Sequence, residues 1–363
     1  MGGGVTTEVN DLPARLEAAR AAREAGDLAL AERLFRAAAE RLPDEPEPLH
    51  HLGGLLLGRG GRAEAEACYR RVLALAPGAD ATARVLGVML LEDGRYPEGF
   101  ALLEARHFLP GMGKPALPFP EWRGEPLAGK TIVVWPEQGF GDQIMFARFA
   151  PRLREMGAEV TLICRPGLER LFEASLGLPT LAAAGAVEFP DPDYWVMLGD
   201  LPARFGVTPQ TLSGKPYLKA PLAGPDLGPG FKVGLKVRGN PAYLADAHRS
   251  APAEAAAALA ALPARIVSLE PEDTGAKDFA ETAALVERLD LVISVDTSVA
   301  HLAAAMGKPT WILLSAAKTD WRWMRDRADS PWYEAVRLFR QPAPGDWMGL
   351  IAEVRQALAG LNP

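Results

Sequence analysis

Cysteine is nearly absent from this chain: Cys68 and Cys164 are the two among 363 residues, and their contexts are unlike. Two such thiols make neither a disulfide framework nor a metal site, and they fit a reducing cytoplasm. Long apolar runs are missing as well; no stretch approaches the ~20 residues that a membrane-spanning helix needs. There is no basic excess, since 39 Lys and Arg face 46 Asp and Glu for a formal charge of −7. That balance argues against a nucleic-acid binder, which carries a basic face. Met1 to Asn10 is Gly-rich and polar, without the charged-then-apolar order of an export signal. What remains is a globular composition, 48% apolar and 23% charged, in a chain long enough for two or three domains.

The first hundred residues repeat on themselves. Gly26, Gly60 and Gly94 are 34 residues apart, as are Ala31, Ala65 and Gly99, and Phe35, Tyr69 and Leu103. Pro43 and Pro77 keep the same step, and Leu52-Gly53 recurs as Leu86-Gly87. The glycines fall where a first helix must stop and turn. The small residue five positions later lets two helices approach, and the prolines end the second helix. This period resembles the tetratricopeptide repeat (TPR). Such arms bind a peptide or protein, or serve as a rigid spacer or dimerisation surface. The third unit breaks off near His107, and the adjacent His50 and His51 read as surface or packing residues.

After a Pro- and Gly-rich linker with Trp122 at its end, Thr131 to Trp135 reads as a buried strand. It enters the turn Pro136-Glu-Gln-Gly-Phe-Gly-Asp142 and then an amphipathic helix, the opening of a nucleotide-type α/β lobe. Gln138, Gly139 and Gly141 form a loop that a ligand can approach closely. Asp142 falls at an expected N-cap; it either caps the helix or offers a carboxylate where substrates bind. Strands are also expected at 159–164 and 194–198. Asp191-Pro-Asp193 has the spacing of a metal-binding pair, but its proline favours an ordinary turn.

A Pro/Gly-rich run at 221–230 marks a lobe boundary, and a strand from Phe231 to Val237 leads into Arg238-Gly-Asn-Pro241, then Asp246, His248, Arg249 and Ser250. Arg238, Asn240 and Arg249 suit a phosphate or sugar hydroxyls, or a solvated loop. The strand 265–269 ends at Glu270, a carboxylate for a ribose or for water. Most specific is Leu289 to Pro309: an apolar strand ends at Asp296, and a helix of small residues starts at once with Thr297, Ser298 and His301. Unpaired N–H groups and a positive dipole end make such a helix start a site for a diphosphate. Asp296 would accept from sugar hydroxyls and cap the helix; His301 would pack or touch a phosphate.

From Trp122 onward the chain resembles the heptosyltransferase-like superfamily, in particular its TPR-linked bacterial glycosyltransferases. The resemblance rests on Trp122 to Lys130, Trp135 to Asp142, Gly239-Asn-Pro241, Arg249-Ser250 and Asp296-Thr-Ser-Val-Ala-His301. It continues in Asp320-Trp-Arg-Trp323, Ser330-Pro-Trp-Tyr333 and Leu338-Phe-Arg-Gln341. It implies helical TPR repeats over 10–108, a linker over 109–129, and an α/β GT-B fold of two Rossmann-like lobes. The acceptor-side lobe would span 130–226. The nucleotide-sugar lobe would span 227–363, with a closing helix near Gly345 to Leu361 that returns to the first lobe. It further implies inverting, metal-independent transfer from a nucleotide-sugar, which is a co-substrate, with no cofactor.

In that reading Asp142 matches the family's general base, the Asp296 segment its donor site, and Lys236 or Arg238 its leaving-phosphate cation. The acceptor would be a protein held in the TPR groove, as in flagellin glycosyltransferases. The alternatives are a lipopolysaccharide sugar transferase and a non-catalytic adaptor. Trp321, Trp323, Trp332 and Trp347 read as packing, and Arg322 and Arg325 are left open.

Overall fold

The computed structural model describes residues 12–111, 113–137, 139–185, 187–242, 246–317 and 319–361. The chain divides into two compact units, one running to Leu90 plus Glu98–Lys114, the other comprising Leu91–Pro97 and Pro115 onward.

The first unit is helical: α1 (Leu12–Glu24), α2 (Leu28–Arg41), α3 (Pro46–Gly58), α4 (Arg62–Leu75), α5 (Asp80–Glu92) and α6 (Tyr96–Leu103). The repeated glycines are turns of one kind, with Gly26, Gly60 and Gly94 at φ 81°, 90° and 77°. Only glycine enters that region freely. Asp27 then caps α2 by accepting from the Leu30 N–H (2.9 Å). The Leu-Gly pairs serve helix approach. A Cβ on Gly53 would sit 2.7 Å from the Tyr69 ring, and one on Gly87 would sit 2.9 Å from the Gly99 carbonyl. Ala31, Phe35, Leu56, Ala65 and Leu86 close the core between helices. His50 and His51 are half-buried; His50 Nδ1 lies 2.7 Å from Thr82 Oγ1 and the His51 ring packs on Phe35.

The second unit holds two parallel sheets. The four-stranded sheet has the order β3-β2-β1-β4, from β1 (Thr131–Trp135), β2 (Glu159–Cys164), β3 (Thr180–Ala182) and β4 (Tyr194–Met197). The five-stranded sheet has the order β6-β5-β7-β8-β9, from β5 (Lys232–Lys236), β6 (Arg265–Ser268), β7 (Leu291–Val295), β8 (Thr310–Leu314) and β9 (Val336–Arg340). The central strands are nearly continuous runs of buried residues, the pattern of a sheet covered on both faces. Helices α7 (Phe140–Phe146), α8 (Ala150–Glu155), α9 (Glu169–Leu176) and α10 (Leu201–Arg204) accompany the first sheet. With the second run α11 (Asp246–Arg249), α12 (Ala253–Ala260), α13 (Pro271–Thr274), α14 (Phe279–Glu287), α15 (Ser298–Ala305) and α16 (Trp347–Ala359).

Trp122 is buried, its backbone N–H donates to the Trp195 carbonyl (2.8 Å), and its indole N–H donates to the Glu125 carbonyl (2.8 Å). The segment before β1 therefore lies along β4. Asp193 accepts from the Thr131 N–H, the Thr131 hydroxyl and Lys130 Nζ, which locks the start of β1 to that of β4. Asp193 of the Asp-Pro-Asp stretch is thus engaged in structural bonds. The closing helix departs from expectation. The buried side chains of α16, Trp347, Leu350, Ile351, Val354 and Leu358, all enter the core of the second sheet instead of serving a return to the first. Among the described residues no helix is long and apolar enough to cross a membrane.

Candidate active site

Strand order locates the site. From β1 the chain goes to β2 on one side, and β4 pairs on the other; from β5 it goes to β6 on one side, and β7 pairs on the other. Ligands of open α/β sheets bind beyond the carboxyl ends of the strands at such reversals. The loop after β1 carries Gly139, Gly141 and Asp142; the loop after β7 carries Asp296 and Thr297. The two loops meet. A Cβ on Gly141 would lie 3.0 Å from His301 Cδ2 and 3.8 Å from the Ser298 Cα, so this glycine lets α7 pack against α15.

The caps differ from the sequence expectation. Helix α7 begins at Phe140 with Gly139 as N-cap, so Asp142 stands in the first turn and its carboxylate accepts from the Gly139 N–H. Thr297, not Asp296, caps α15. Its hydroxyl oxygen accepts from the Ala300 N–H and lies 3.0 Å from Ser294 Oγ, and the residue is buried. Asp142 thus reaches back to the N-cap amide from the first turn, Asp296 is released from capping, and the Thr297 hydroxyl is engaged. Ser298 opens α15. Gln138 lies outside the described residues.

Arg322, on a short 3-10 turn Trp321–Trp323, joins these loops. Its Nη1 donates to Asp320 Oδ1 (2.7 Å), its backbone N–H to the same oxygen (3.0 Å), and its Nη2 to Asp142 Oδ1. The guanidinium also acts on Asp296 electrostatically. Burial works against charge on Asp320, yet Arg322 outweighs it and holds that carboxyl below its usual range. Asp142 keeps a third of its side-chain surface exposed (32%), but the surrounding protein raises its carboxyl against the pull of Arg322, with Asp320 and Glu137 adding to the rise. Burial pushes Asp296 up to about 6, Asp320 again contributing.

His301 is buried, and its ring stacks on Trp323 with centroids 5.1 Å apart. Its Nδ1 lies 2.9 Å from the Tyr333 hydroxyl and its Nε2 lies 3.9 Å from Asp296 Oδ1. Burial, reinforced by Arg322, pushes the imidazole down to about 3, so the ring is neutral. Arg148 backs the cluster: it donates to the carbonyls of Met145, Ser213 and Trp332 and lies over the Tyr217 and Tyr333 rings.

The other expected residues are less available. Lys236 is buried in an ion pair with Glu270, whose other oxygen accepts from the N–H groups of Val237 and Arg238 (both 3.1 Å). Arg238 is exposed and pairs with Glu272. Neither residue is thus a free cation. Beside them a cavity of about 420 Å³ opens among Leu235, Arg238, Ala256, Ser268, Glu270 and Asp273. Asn240 Oδ1 accepts from the Ala242 N–H in an exposed turn. Arg249 donates to Asp246 Oδ1 (2.8 Å) and faces Asp296 and His301 electrostatically.

Sequence reasoning left Arg322 open and did not assign Asp320, Tyr333 or Arg148. The available signal was the acid that opens Asp320-Trp-Arg-Trp323, since a cation between two tryptophans beside a carboxylate is built to be held.

Residues 246–323, which contain Asp296, His301, Asp320 and Arg322, match the family described as glycosyltransferase family 9 (heptosyltransferase). The chain is 28% identical to protein FlbA of Caulobacter vibrioides over 74% of its own length and 53% of that protein, and so spans about half the length of this curated relative. Among solved structures it is similar to the family 9 glycosyl transferase of Veillonella parvula, at 14% identity, covering 66% of this chain and 91% of that one, with TM-score 0.40. The TPR domain of P58(IPK) matches at 26% identity over 26% of each chain, with TM-score 0.26.

Proposed function

We propose that the chain is an inverting, metal-independent glycosyltransferase of GT-B architecture. In this reading it moves a sugar from a nucleotide-sugar to a hydroxyl of a protein presented by the helical repeats. The observation that carries the reading is the meeting of two half-sites at the two points of strand-order reversal, Asp142 after β1 and Asp296 with the α15 N-terminus after β7. The family 9 match over 246–323 supports it.

Asp142 is the base. The acceptor oxygen attacks the anomeric carbon and its proton passes to the Asp142 carboxylate. The bond from that carbon to the phosphate oxygen breaks, and the electron pair leaves on the nucleotide. A raised carboxyl suits this task, because a base with its pKa nearer the working pH accepts the proton more completely. The N–H groups that open α15 receive the phosphate, and Asp296 accepts from sugar hydroxyls. The nucleoside lies toward Glu270 and the neighbouring cavity.

The test is a thermal-shift panel of ADP, GDP, UDP, dTDP and CMP against the full chain and Asp296→Ala, followed by donor turnover with Asp142→Asn. A ligand at a hundred times its Kd stabilises by about 2.7 kcal/mol, a shift of a few degrees. One nucleotide that stabilises only the wild type, with turnover abolished in Asp142→Asn, is the expected result. Undiminished turnover in Asp142→Asn removes this residue as the base.

A further inference from the structure

We infer that Arg322 is a switch between the two half-sites: it holds Asp142 in the unloaded protein and moves to the leaving phosphate when the donor binds, freeing Asp142 to act as base. This rests on the reading of Asp142 given above.

The cations around the site are already committed elsewhere. Lys236 is paired with Glu270, Arg238 with Glu272, Arg249 with Asp246, and Arg148 with three backbone carbonyls. Arg322 instead stands where the loops meet, with Asp142, Asp320 and Asp296 all acting on it. A bound guanidinium lowers the basicity of a carboxylate, so opening the pair lifts Asp142 further toward the working pH.

The geometry of Arg322 allows one edge to move while the other stays. Nη1 and the backbone N–H are both held by Asp320, which makes that carboxylate a pivot. The free end, Nη2, reaches Asp142 across the cleft. Nε is buried and has no hydrogen-bond partner, so this guanidinium has donor capacity that a phosphate oxygen would use. The Trp321 ring lies 4.5 Å from the guanidinium carbon and the Phe146 ring 5.9 Å, flat walls along which a planar cation turns without losing contact.

Charge gives the direction. Three carboxylates share one guanidinium, with Glu137 on the glycine loop adding a fourth negative group and His301 neutral. A phosphate arriving at α15 meets this negative field, and turning Nη2 and Nε toward it offsets the repulsion. Donor binding thereby precedes and enables deprotonation of the acceptor.

The experiment uses the full chain as wild type, Arg322→Gln, Arg322→Lys and Asp142→Asn, with ADP, GDP, UDP, dTDP and CMP as binding probes and circular dichroism as the check on folding. Arg322→Gln should weaken the nucleotide bound by the wild type at least tenfold and cut kcat by about 100-fold. Arg322→Lys should recover part of both. The acid limb of the kcat/KM profile should move to higher pH in Arg322→Gln, because Asp142 loses the guanidinium that opposes its protonation.

Asp142→Asn supplies the reading that a merely structural ion pair would not give: it should bind the nucleotide more tightly than wild type, since Arg322 no longer has to leave a carboxylate. Nucleotide affinity unchanged in Arg322→Gln, or weakened in Asp142→Asn, overturns the switch while leaving the transferase reading intact. A wild-type chain that binds none of the five nucleotides and turns over no donor removes that reading first, and the inference with it.

Discussion

At position 301 an imidazole is buried against Trp323 and Tyr333, and its protonation is opposed from several sides. Burial and Arg322 disfavour the cation, while Asp320 favours it, and the balance leaves the ring at about 3. Asp296, 3.9 Å away, is displaced the other way, to about 6. The linkage signs are opposite. Below pH 6.5 the unfolded chain takes up a proton at His301 that the folded chain refuses, so this residue removes stability as pH falls toward 3. Asp296 takes up its proton in the folded state first, and so adds stability as pH falls from about 6 toward 4. In wild type the two offset one another across that window. The His301→Gln variant, whatever its stability at pH 7, should therefore gain melting temperature relative to wild type as pH is lowered from 7 to 4.5. Thermal unfolding at five or six pH values decides it: parallel curves would mean that His301 is not held neutral.

Elements in this chain are fixed by small residues at close approaches, and α3 supplies a paired test. Gly53 and Gly54 are neighbours on one helix, but a Cβ on Gly53 would collide with the Tyr69 ring at 2.7 Å, whereas on Gly54 the nearest atom is the Tyr69 hydroxyl at 3.8 Å. Overpacking costs about 1–3 kcal/mol, and a helical Gly→Ala without a clash gains roughly 0.5–1 kcal/mol. Gly53→Ala should lower the urea midpoint and Gly54→Ala should raise it. Equal shifts would show that Tyr69 yields freely. Much of this level was readable beforehand. The 34-residue period marked the hairpins because positive-φ glycines and small packing residues cannot be exchanged for others. The strands β1, β2, β4, β5, β6 and β7 stood out as apolar runs entering turns. Three strands escaped notice: β3 is only three residues long, β8 has no glycine in the loop that follows it, and Arg337 and Arg340 interrupt the apolar run of β9. The site divided in the same way. Asp142 and Asp296 follow strand-turn-helix signals, while the Arg322–Asp142 pair joins residues 180 apart in sequence, and local pattern carries no record of such a partner.

For the whole molecule the question is whether the two units divide the labour of recognition. Within the first unit, the leading helices of successive hairpins join along one polar strip. Arg20 pairs with Glu47, Arg23 Nη1 lies 3.1 Å from His51 Nδ1, and His50 meets Thr82. Polar groups link α1, α3 and α5 in this way, with Thr82 buried at the α5 end and Arg20, Glu47 and the half-buried histidines left open to a peptide. Burial and the neighbouring Arg23 keep both imidazoles below their ordinary range, so at pH 7 they are neutral and free to exchange hydrogen bonds. If this face presents the acceptor, the Arg23→Ala/His51→Ala double variant should raise KM for the protein acceptor several-fold. Nucleotide binding and kcat at saturating acceptor should stay as in wild type, since both residues belong to the other unit from Asp142 and Asp296. The comparison is made by steady-state kinetics with acceptor varied at fixed donor. A KM that does not move would assign the strip to helix packing alone and leave acceptor choice to the unit that carries the two sheets; a fall in kcat with KM unchanged would mean that the repeats act on the chemistry instead of on capture.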